Sequence, residues 1–580
     1  MTTYKTTASL GPVRTVDDIR ALEQAAYQDR VPSRSLYEVL SANAALHGGR
    51  PALTVLESAA PDAHFVTRTH AQLLRDVTRM ANLFTRLGAR RDSVISILGR
   101  THPELPTVIW GAEVAGVANT VNYLLSAEVI AALLNAEQAE ILVCPGPGRD
   151  AEIWDKVERV VAATPSLRLV LVMGEVPEWL DPLRYLSLHD QLSGIADSDL
   201  KATPPGPEDR AALFHTGGTT GVPKLVPQTH RNQIHAAWCL SQLFDLSERD
   251  VALNGFPLFH VGGTSTVGLS VLAAAGHLVM LTADGFRNPA VVNNIWALVE
   301  RHQATVLGGV PTTIGAIAEV PVGGHDVSTL RFVLTGGASL TRAAADRFET
   351  RTGVPLLEQY GMTETVAAIA ATPLHGRHVR GSVGLRGPFS DIRIRPLGRE
   401  REPVECAPGE AGAVLVRGEQ VVAGYLDPAQ TRAAFTDDGF LITGDVGYLD
   451  EHQYLHLTGR EKDLIIRSGH NIDPLSIEEV ANAHPQVRLS AAVAMPDRYA
   501  GELPVLFVAP QEPARFDLPA FQRYMQDHVH EPPARPKHIF LIDEIPVTGV
   551  GKIFKPRLRA LAAEYQANHS FDNNEREKKS

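Results

Sequence analysis

From residue 35 to residue 200, short apolar runs alternate with segments of helical period. Residues 93–98 form a compact apolar run. So do residues 140–144, closed by the turn Pro145-Gly146-Pro147-Gly148. Ile153, Val157, Val160 and Val161 then recur at helical spacing, and 167–173 is a third buried strand. Residues 211–214 form another short buried strand, 238–246 has a helical pattern, and 277–281 and 305–307 read as strands. Residues 331–334 make a strand that runs straight into Thr335-Gly336-Gly337-Ala338. Apolar strands separated by amphipathic helices predict an α/β sheet with a largely parallel core. From about residue 384 the period changes to two. Residues 391–394 and 412–417 alternate apolar and polar with frequent turn residues, which predicts antiparallel structure, a small barrel or curved sheet. The charged segment Gly459-Arg460-Glu461-Lys462-Asp463 reads as a linker into a last domain. There Asp473-Pro474 supplies cap and first-turn chemistry for a helix carrying Glu478 and Glu479.

Composition narrows the class. At 580 residues and 44% hydrophobic, the chain is too long for a single core. The net charge of -12 and the lack of a Lys/Arg block argue against nucleic acid as a partner. Residues 1–34 are mixed polar and lack an apolar signal core. Residues 261–283 carry no Asp, Glu, Lys or Arg. Their Gly, Thr and Ser content and His277 predict a buried helix and strand, with no transmembrane segment. Cys144, Cys239 and Cys406 lie far apart, which fits a reducing, cytoplasmic setting and argues against a Cys-based metal site. The tail beyond Ala563 is polar enough to be expected unstructured.

The candidate chemistry centres on Thr216-Gly217-Gly218-Thr219-Thr220-Gly221-Val222-Pro223-Lys224, directly after the buried strand 211–214. Glycines let backbone N–H groups approach an anion, hydroxyls add donors, and Lys224 adds a mobile charge. The spacing is not that of a Walker A loop. By itself the segment fits a flexible surface loop equally well. A second glycine-rich turn at Gly337 also follows a strand. Ligands of open α/β sheets sit beyond the carboxyl ends of strands, so the two turns predict one shared crevice.

Several motifs in fixed order resemble those of the AMP-forming adenylating enzymes, a group that includes acyl-CoA synthetases, peptide-synthetase adenylation domains and beetle luciferases. The chain is most similar to the acyl-CoA synthetases, over roughly residues 50 to 560. The resemblance implies an α/β fold. It consists of a large N-terminal domain of two α/β sheets with a small β-barrel-like subdomain, and a small mobile α+β C-terminal domain. The implied boundaries are an N-terminal extension 1–34, an ATP- and acid-binding domain 35–458, a mobile domain 459–565 and a polar tail 566–580.

The resemblance also implies roles. Thr216, Gly217, Gly218, Thr219, Thr220, Gly221 and Lys224 would hold the β- and γ-phosphates of ATP, although Gly217 stands where most members carry a hydroxyl residue. In Phe256-Pro257-Leu258-Phe259-His260-Val261-Gly262-Gly263, His260 would border the carboxylate pocket. No Asp is visible there to meet an amino acid's amine. Gly336, Gly337 and Ala338 would form the turn along the adenine and acyl pocket, and Glu358 and Gln359 would be cofactor-binding. Tyr360 would stack on adenine, Thr363 would contact the α-phosphate and Glu364 would bind Mg²⁺. Asp445 and Arg460 would hold the ribose, Lys462 would be the hinge, and Gly469 would face the CoA pantetheine. Lys552, in Pro546-Val547-Thr548-Gly549-Val550-Gly551-Lys552, would be the catalytic lysine. The implied activity is ATP-dependent activation of a carboxylic acid as acyl-adenylate, followed by transfer to CoA. A medium- or long-chain fatty acid, or an aryl or alicyclic acid, is the expected substrate. The nearest alternative is an acyl-AMP ligase that loads a carrier protein; no extra block between Arg460 and Lys552 favours it. A non-catalytic relative would be expected to lose Glu364, Asp445 or Lys552, and all three are present.

Overall fold

The computed structural model describes residues 11–216, 223–338, 340–468, 470–549 and 551–577. Among these, the strands form sheets of seven, nine, four and five. The seven-stranded sheet runs Tyr185–Ser187, Leu169–Met173, Ile141–Pro145, Val94–Leu98, Val117–Val121, Arg210–His215, Leu225–Thr229. Its pairings are parallel except the last, where Leu225–Thr229 returns antiparallel to Arg210–His215. The four strands from Leu169–Met173 to Val117–Val121 are buried at every position. Continuous apolar runs of this kind belong to parallel sheets covered on both faces. The helix Ala151–Ala163 supplies one cover, with Ile153, Val157, Val160 and Val161 in the core.

The nine-stranded sheet holds Leu356–Tyr360, Phe332–Gly336, Val306–Gly309, Val251–Asn254, His277–Met280 and Pro51–Val55 as parallel neighbours, with short antiparallel strands at its edges. One core joins the two sheets. It packs residues of both against the helices His70–Arg86, Leu105–Ala115 and His230–Leu243. Phe332–Gly336 and Leu356–Tyr360 end side by side, with Gly336 opposite Gln359.

Residues 390–460 form the four-stranded antiparallel sheet, in sequence order. The 3₁₀ turn Glu461–Asp463 follows. The last sheet pairs Val487–Asp497 with Gly501–Pro510 and packs against the helices Pro474–Asn482 and Leu518–His528. Residues 261–283 are a buried helical stretch, Gly262–Leu269 and Ser270–Ala273, leading into the strand His277–Met280. Among the described residues no helix is long and apolar enough to cross a membrane.

Two sequence expectations differ from the structure. The helix expected over 238–246 runs His230–Leu243 instead. Thr229 caps it and Asn232 closes a reciprocal capping box, so the polar first turns are helical despite little apolar period. Its end is set by Asp245, whose φ of 49° cannot continue the helix. The polar tail expected to be unstructured is helical. One helix runs Lys555–Glu577, and Leu558 and Ala562 in its first turns are buried. Once those turns are packed, propagation adds a hydrogen bond per residue without a further nucleation cost.

Candidate active site

The site begins where Leu356–Tyr360 ends. The Tyr360 phenol donates to Asp445 Oδ2 at 2.5 Å, and Arg460 Nε meets Asp445 Oδ1 at 2.9 Å. Asp445 and Arg460 face each other across antiparallel strands, so the ladder itself sets their approach. The Asp445 backbone N–H donates to Thr443 Oγ1 at 3.1 Å. Asp445 is buried, and its two oxygens carry one neutral and one cationic donor. Burial and the Asp445 charge raise the Tyr360 phenol well above its ordinary value. Asp445 in turn raises the Arg460 guanidinium.

After Tyr360 the chain makes a tight turn. Thr363–Thr365 is a 3₁₀ turn, and Val366 and Ala367 follow at φ of 50° and 67°. A β-branched residue in the left-handed region is strained and persists only where its surroundings enforce it. Here the Gln359 amide donates to the Ala367 carbonyl, and Ala367 N–H donates to the Met362 carbonyl at 2.9 Å. Gln359 is therefore buried and engaged by the turn. Gln228, buried on Leu225–Thr229, donates from Nε2 to the Thr363 carbonyl at 3.0 Å. The Glu364 carbonyl accepts from Val422 N–H at 3.0 Å, and Glu364 Oε1 accepts from the Tyr425 hydroxyl at 2.6 Å. Glu364 is buried with this single phenol donor on Oε1. Among the described residues no group of three His, Cys, Asp or Glu side chains could enclose a metal.

Thr216 and Lys224 close the base of the Gly/Thr loop, Thr216 N–H donating to the Lys224 carbonyl at 2.9 Å. Lys224 Nζ lies 4.8 Å from the centre of the Tyr425 ring. Gly217, Gly218, Thr219, Thr220 and Gly221 lie outside the described residues, as does Gly469.

His260 follows the strand Val251–Asn254. Its Nδ1 accepts from Gly262 N–H at 3.0 Å, so the neutral ring carries its proton on Nε2. Burial, then the Lys552 and His215 charges, pushes His260 down to about 3. His215, at the end of Arg210–His215, accepts at Nε2 from Asn122 N–H at 3.1 Å, and burial pushes it down to about 4.

Lys552 arrives from the C-terminal sheet on a closed loop. Thr548 N–H donates to the Lys552 carbonyl at 2.7 Å, Lys552 N–H to Thr548 Oγ1 at 3.2 Å, and Val547 bridges Ile553. Thr312 Oγ1 donates to the Gly551 carbonyl at 2.8 Å and so fastens this loop to the nine-stranded sheet's side of the cleft. The ammonium end lies over Gly337, where an added Cβ would stand 3.2 Å from Lys552 Cε and 3.6 Å from Nζ. Gly337 also has φ of 84°, a second reason for glycine there. Burial and Arg460 push Lys552 down to about 8, with Asp445 and Glu364 opposing.

Lys552, Gly337, Tyr360, Asp445, Arg460, Thr363, Glu364 and His260 thus share one cleft, from motifs nearly 300 residues apart. Ala338 is exposed at its edge. Burial pushes Glu358 up to about 8, against the pull of Arg380 and with the support of Glu479. Lys462 is exposed in the turn Glu461–Asp463. Sequence reasoning missed Tyr425, Gln228, His215 and Thr312. Each acts on a partner remote in sequence, and the only local signal is the turn chemistry of Gly424-Tyr425-Leu426-Asp427-Pro428.

Comparison with known proteins finds the same organisation. The AMP-binding enzyme family matches residues 40–426, and the AMP-binding enzyme C-terminal domain matches residues 476–552. The chain is 33% identical over 564 residues to a marinolic acid–CoA ligase of Pseudoalteromonas sp. (strain SANK 73390), covering 94% of this chain and 84% of that one. It is 31% identical over 499 residues to a feruloyl-CoA synthase of Amycolatopsis sp., covering 85% and 93%. Among solved structures, ATP-bound MatB from Rhodopseudomonas palustris superposes with a TM-score of 0.78 at 25% identity, covering 90% of this chain and 98% of that one. The anthranilate CoA ligase AuaEII in complex with anthranoyl-AMP shares the fold, with a TM-score of 0.81 at 23% identity and coverage of 92% and 98%.

Proposed function

We propose, for a chain that belongs to the AMP-binding enzyme family and is an AMP-forming acid–CoA ligase, that Lys552 drives the first half-reaction and then withdraws for the second. In the first, a carboxylate oxygen attacks the α-phosphorus of ATP, forming the acyl–O–phosphorus bond and expelling pyrophosphate. Two anions must meet, so a cation between them lowers the barrier, and positioning with charge neutralisation does most of the work. The observation that carries this reading is the Lys552 ammonium over Gly337, in the cleft that also holds His260, Glu364 and Asp445.

The other roles follow from donor chemistry. His260 offers Nε2–H to the acid's carboxylate. Asp445 and Arg460 hold the ribose hydroxyls, with Tyr360 keeping Asp445 in place while its ring faces adenine. Thr363 meets the α-phosphate, and Lys224 with Thr216 and the Gly/Thr loop meets the departing phosphates. Glu364 fits Mg²⁺, because a buried carboxylate with few protein donors is a hard-oxygen ligand that phosphate oxygens can complete. When bound, the ion supplies charge neutralisation at the phosphates. In the second half-reaction the C-terminal domain turns about Lys462, Lys552 leaves, and the CoA thiolate attacks the acyl carbonyl and expels AMP.

The acid is proposed to be apolar: a medium- or long-chain fatty acid, or an aryl or alicyclic acid. A small cavity behind Gly263 and Thr264 is lined by Ile109, Trp110, Leu258, Leu278 and Met280, with no charged side chain. An amine would find no carboxylate there. Pyrophosphate release across aliphatic and aromatic acids, with and without CoA, tests the reading. Acid-dependent release with CoA thioester as product supports it. Turnover only with a carrier protein, or preference for an amino acid, would overturn it.

A further inference from the structure

Tyr425 touches two groups of the phosphate side of the cleft at once. Its hydroxyl donates to Glu364 Oε1 at 2.6 Å, and its ring lies 4.8 Å from Lys224 Nζ. Its own backbone is fixed. Tyr425 N–H donates to Thr431 Oγ1 at 2.9 Å, and Leu426 N–H donates to the Leu225 carbonyl at 3.3 Å, on the strand just after Lys224. Val422 N–H holds the Glu364 carbonyl from the same loop. The segment 422–426 therefore fastens the acidic turn on one side and the end of the phosphate loop on the other.

We propose that Tyr425 is a positioning residue: its hydroxyl turns the Glu364 carboxylate to meet a divalent cation with its other oxygen, and its ring seats Lys224 beside the phosphates. The proposal rests on the reading of Glu364 as the cation's ligand. A phenol donor fixes one carboxylate oxygen without neutralising the charge that a cation needs. A cation over an aromatic face is held more weakly than in an ion pair, so Lys224 stays close by and free to shift to a phosphate oxygen. The two contacts separate by substitution. Tyr425→Phe keeps the ring and loses the hydroxyl, and Tyr425→Leu loses both.

Isothermal titration of ATP, with Mg²⁺ and with EDTA, into the full chain tests the assignment. Tyr425→Phe is expected to bind Mg·ATP about tenfold more weakly, the scale of a hydrogen bond to a charged group, with metal-free ATP unchanged. Tyr425→Leu is expected to weaken metal-free ATP as well, by about threefold. Equal binding of Mg·ATP by Tyr425→Phe and the parent would overturn the proposal. So would an equal loss with and without metal. If Tyr425→Phe also lowers the melting temperature, the Glu364→Gln/Tyr425→Phe pair decides. The double variant is expected to bind Mg·ATP no worse than Glu364→Gln alone, and a further independent loss overturns the link. A parent protein that binds Mg·ATP no better than ATP would instead overturn the reading of Glu364, before any variant is made.

Discussion

Removing the Lys552 ammonium should separate the two half-reactions. The structure fixes what is lost. The side chain crosses Gly337 into a cleft with Asp445 and Glu364 nearby, and burial with Arg460 holds its pKa at about 8. A preorganised charge in such a site is worth about 2.7–4 kcal/mol in the transition state, so Lys552→Ala should slow adenylation by about 10²- to 10³-fold. The sign of the pH dependence follows from the lowered pKa. The ammonium is charged below about 8 and is lost as pH rises through that value, so kcat/KM for ATP in the parent should fall on the alkaline side. That descending limb should be absent in Lys552→Ala. Acid-dependent pyrophosphate exchange measures the first step, and CoA thioester formation from supplied acyl-adenylate measures the second. The second should stay within about threefold of the parent, because thiolate attack needs no cation between two anions. Equal loss in both assays, or persistence of the alkaline limb in the variant, refutes the assignment of Lys552.

Thr312→Val removes the hydrogen bond that fastens Gly551. Adenylation should slow by about fivefold, the scale of one neutral hydrogen bond, while single-turnover thioester formation is not slowed. Asp445→Asn leaves Tyr360 and Arg460 without their shared carboxylate, and should raise the ATP KM by about 10- to 100-fold with a much smaller change in the acid KM, as initial-rate kinetics would show. His260 is depressed to about 3, so it is neutral at every working pH. The acid dependence of kcat/KM should therefore show no inflection near 6.5, and His260→Phe should raise the acid KM by about fivefold through loss of the Nε2–H donor. An inflection near 6.5 that disappears in the variant would contradict the lowered pKa that burial gives His260.

The parallel strands were legible because burial on both faces writes them as unbroken apolar runs. Ile141–Pro145 and Leu169–Met173 need no partner to be recognised. The helix Pro474–Asn482 was legible from its Asp473 cap and following proline. The helix His230–Leu243 was not, because its first turns rest on a side-chain capping box rather than on apolar spacing. The polar end of Lys555–Glu577 was hidden for a related reason: its start is decided by packing far from the tail.

The inventory and order of the site are written in the chain: a Gly/Thr loop with Lys224, then His260, then Tyr360 with Thr363 and Glu364, then Asp445 with Arg460, then Lys552. Each can be read locally because charge, hydroxyl and glycine content are properties of short segments. Which of them meet depends on the packed fold. Asp445 reaches Arg460 because two antiparallel strands are in register, and Tyr360 reaches Asp445 from the end of a parallel strand. Lys552 reaches Gly337 because Thr312 fastens the C-terminal loop across the cleft. The turn chemistry around Tyr425 marks a loop but not its contact with both Glu364 and Lys224. Short-range chemistry selects residues of the right kind; distances of 3 Å between remote segments exist only once the sheets and the shared core have fixed where each segment ends.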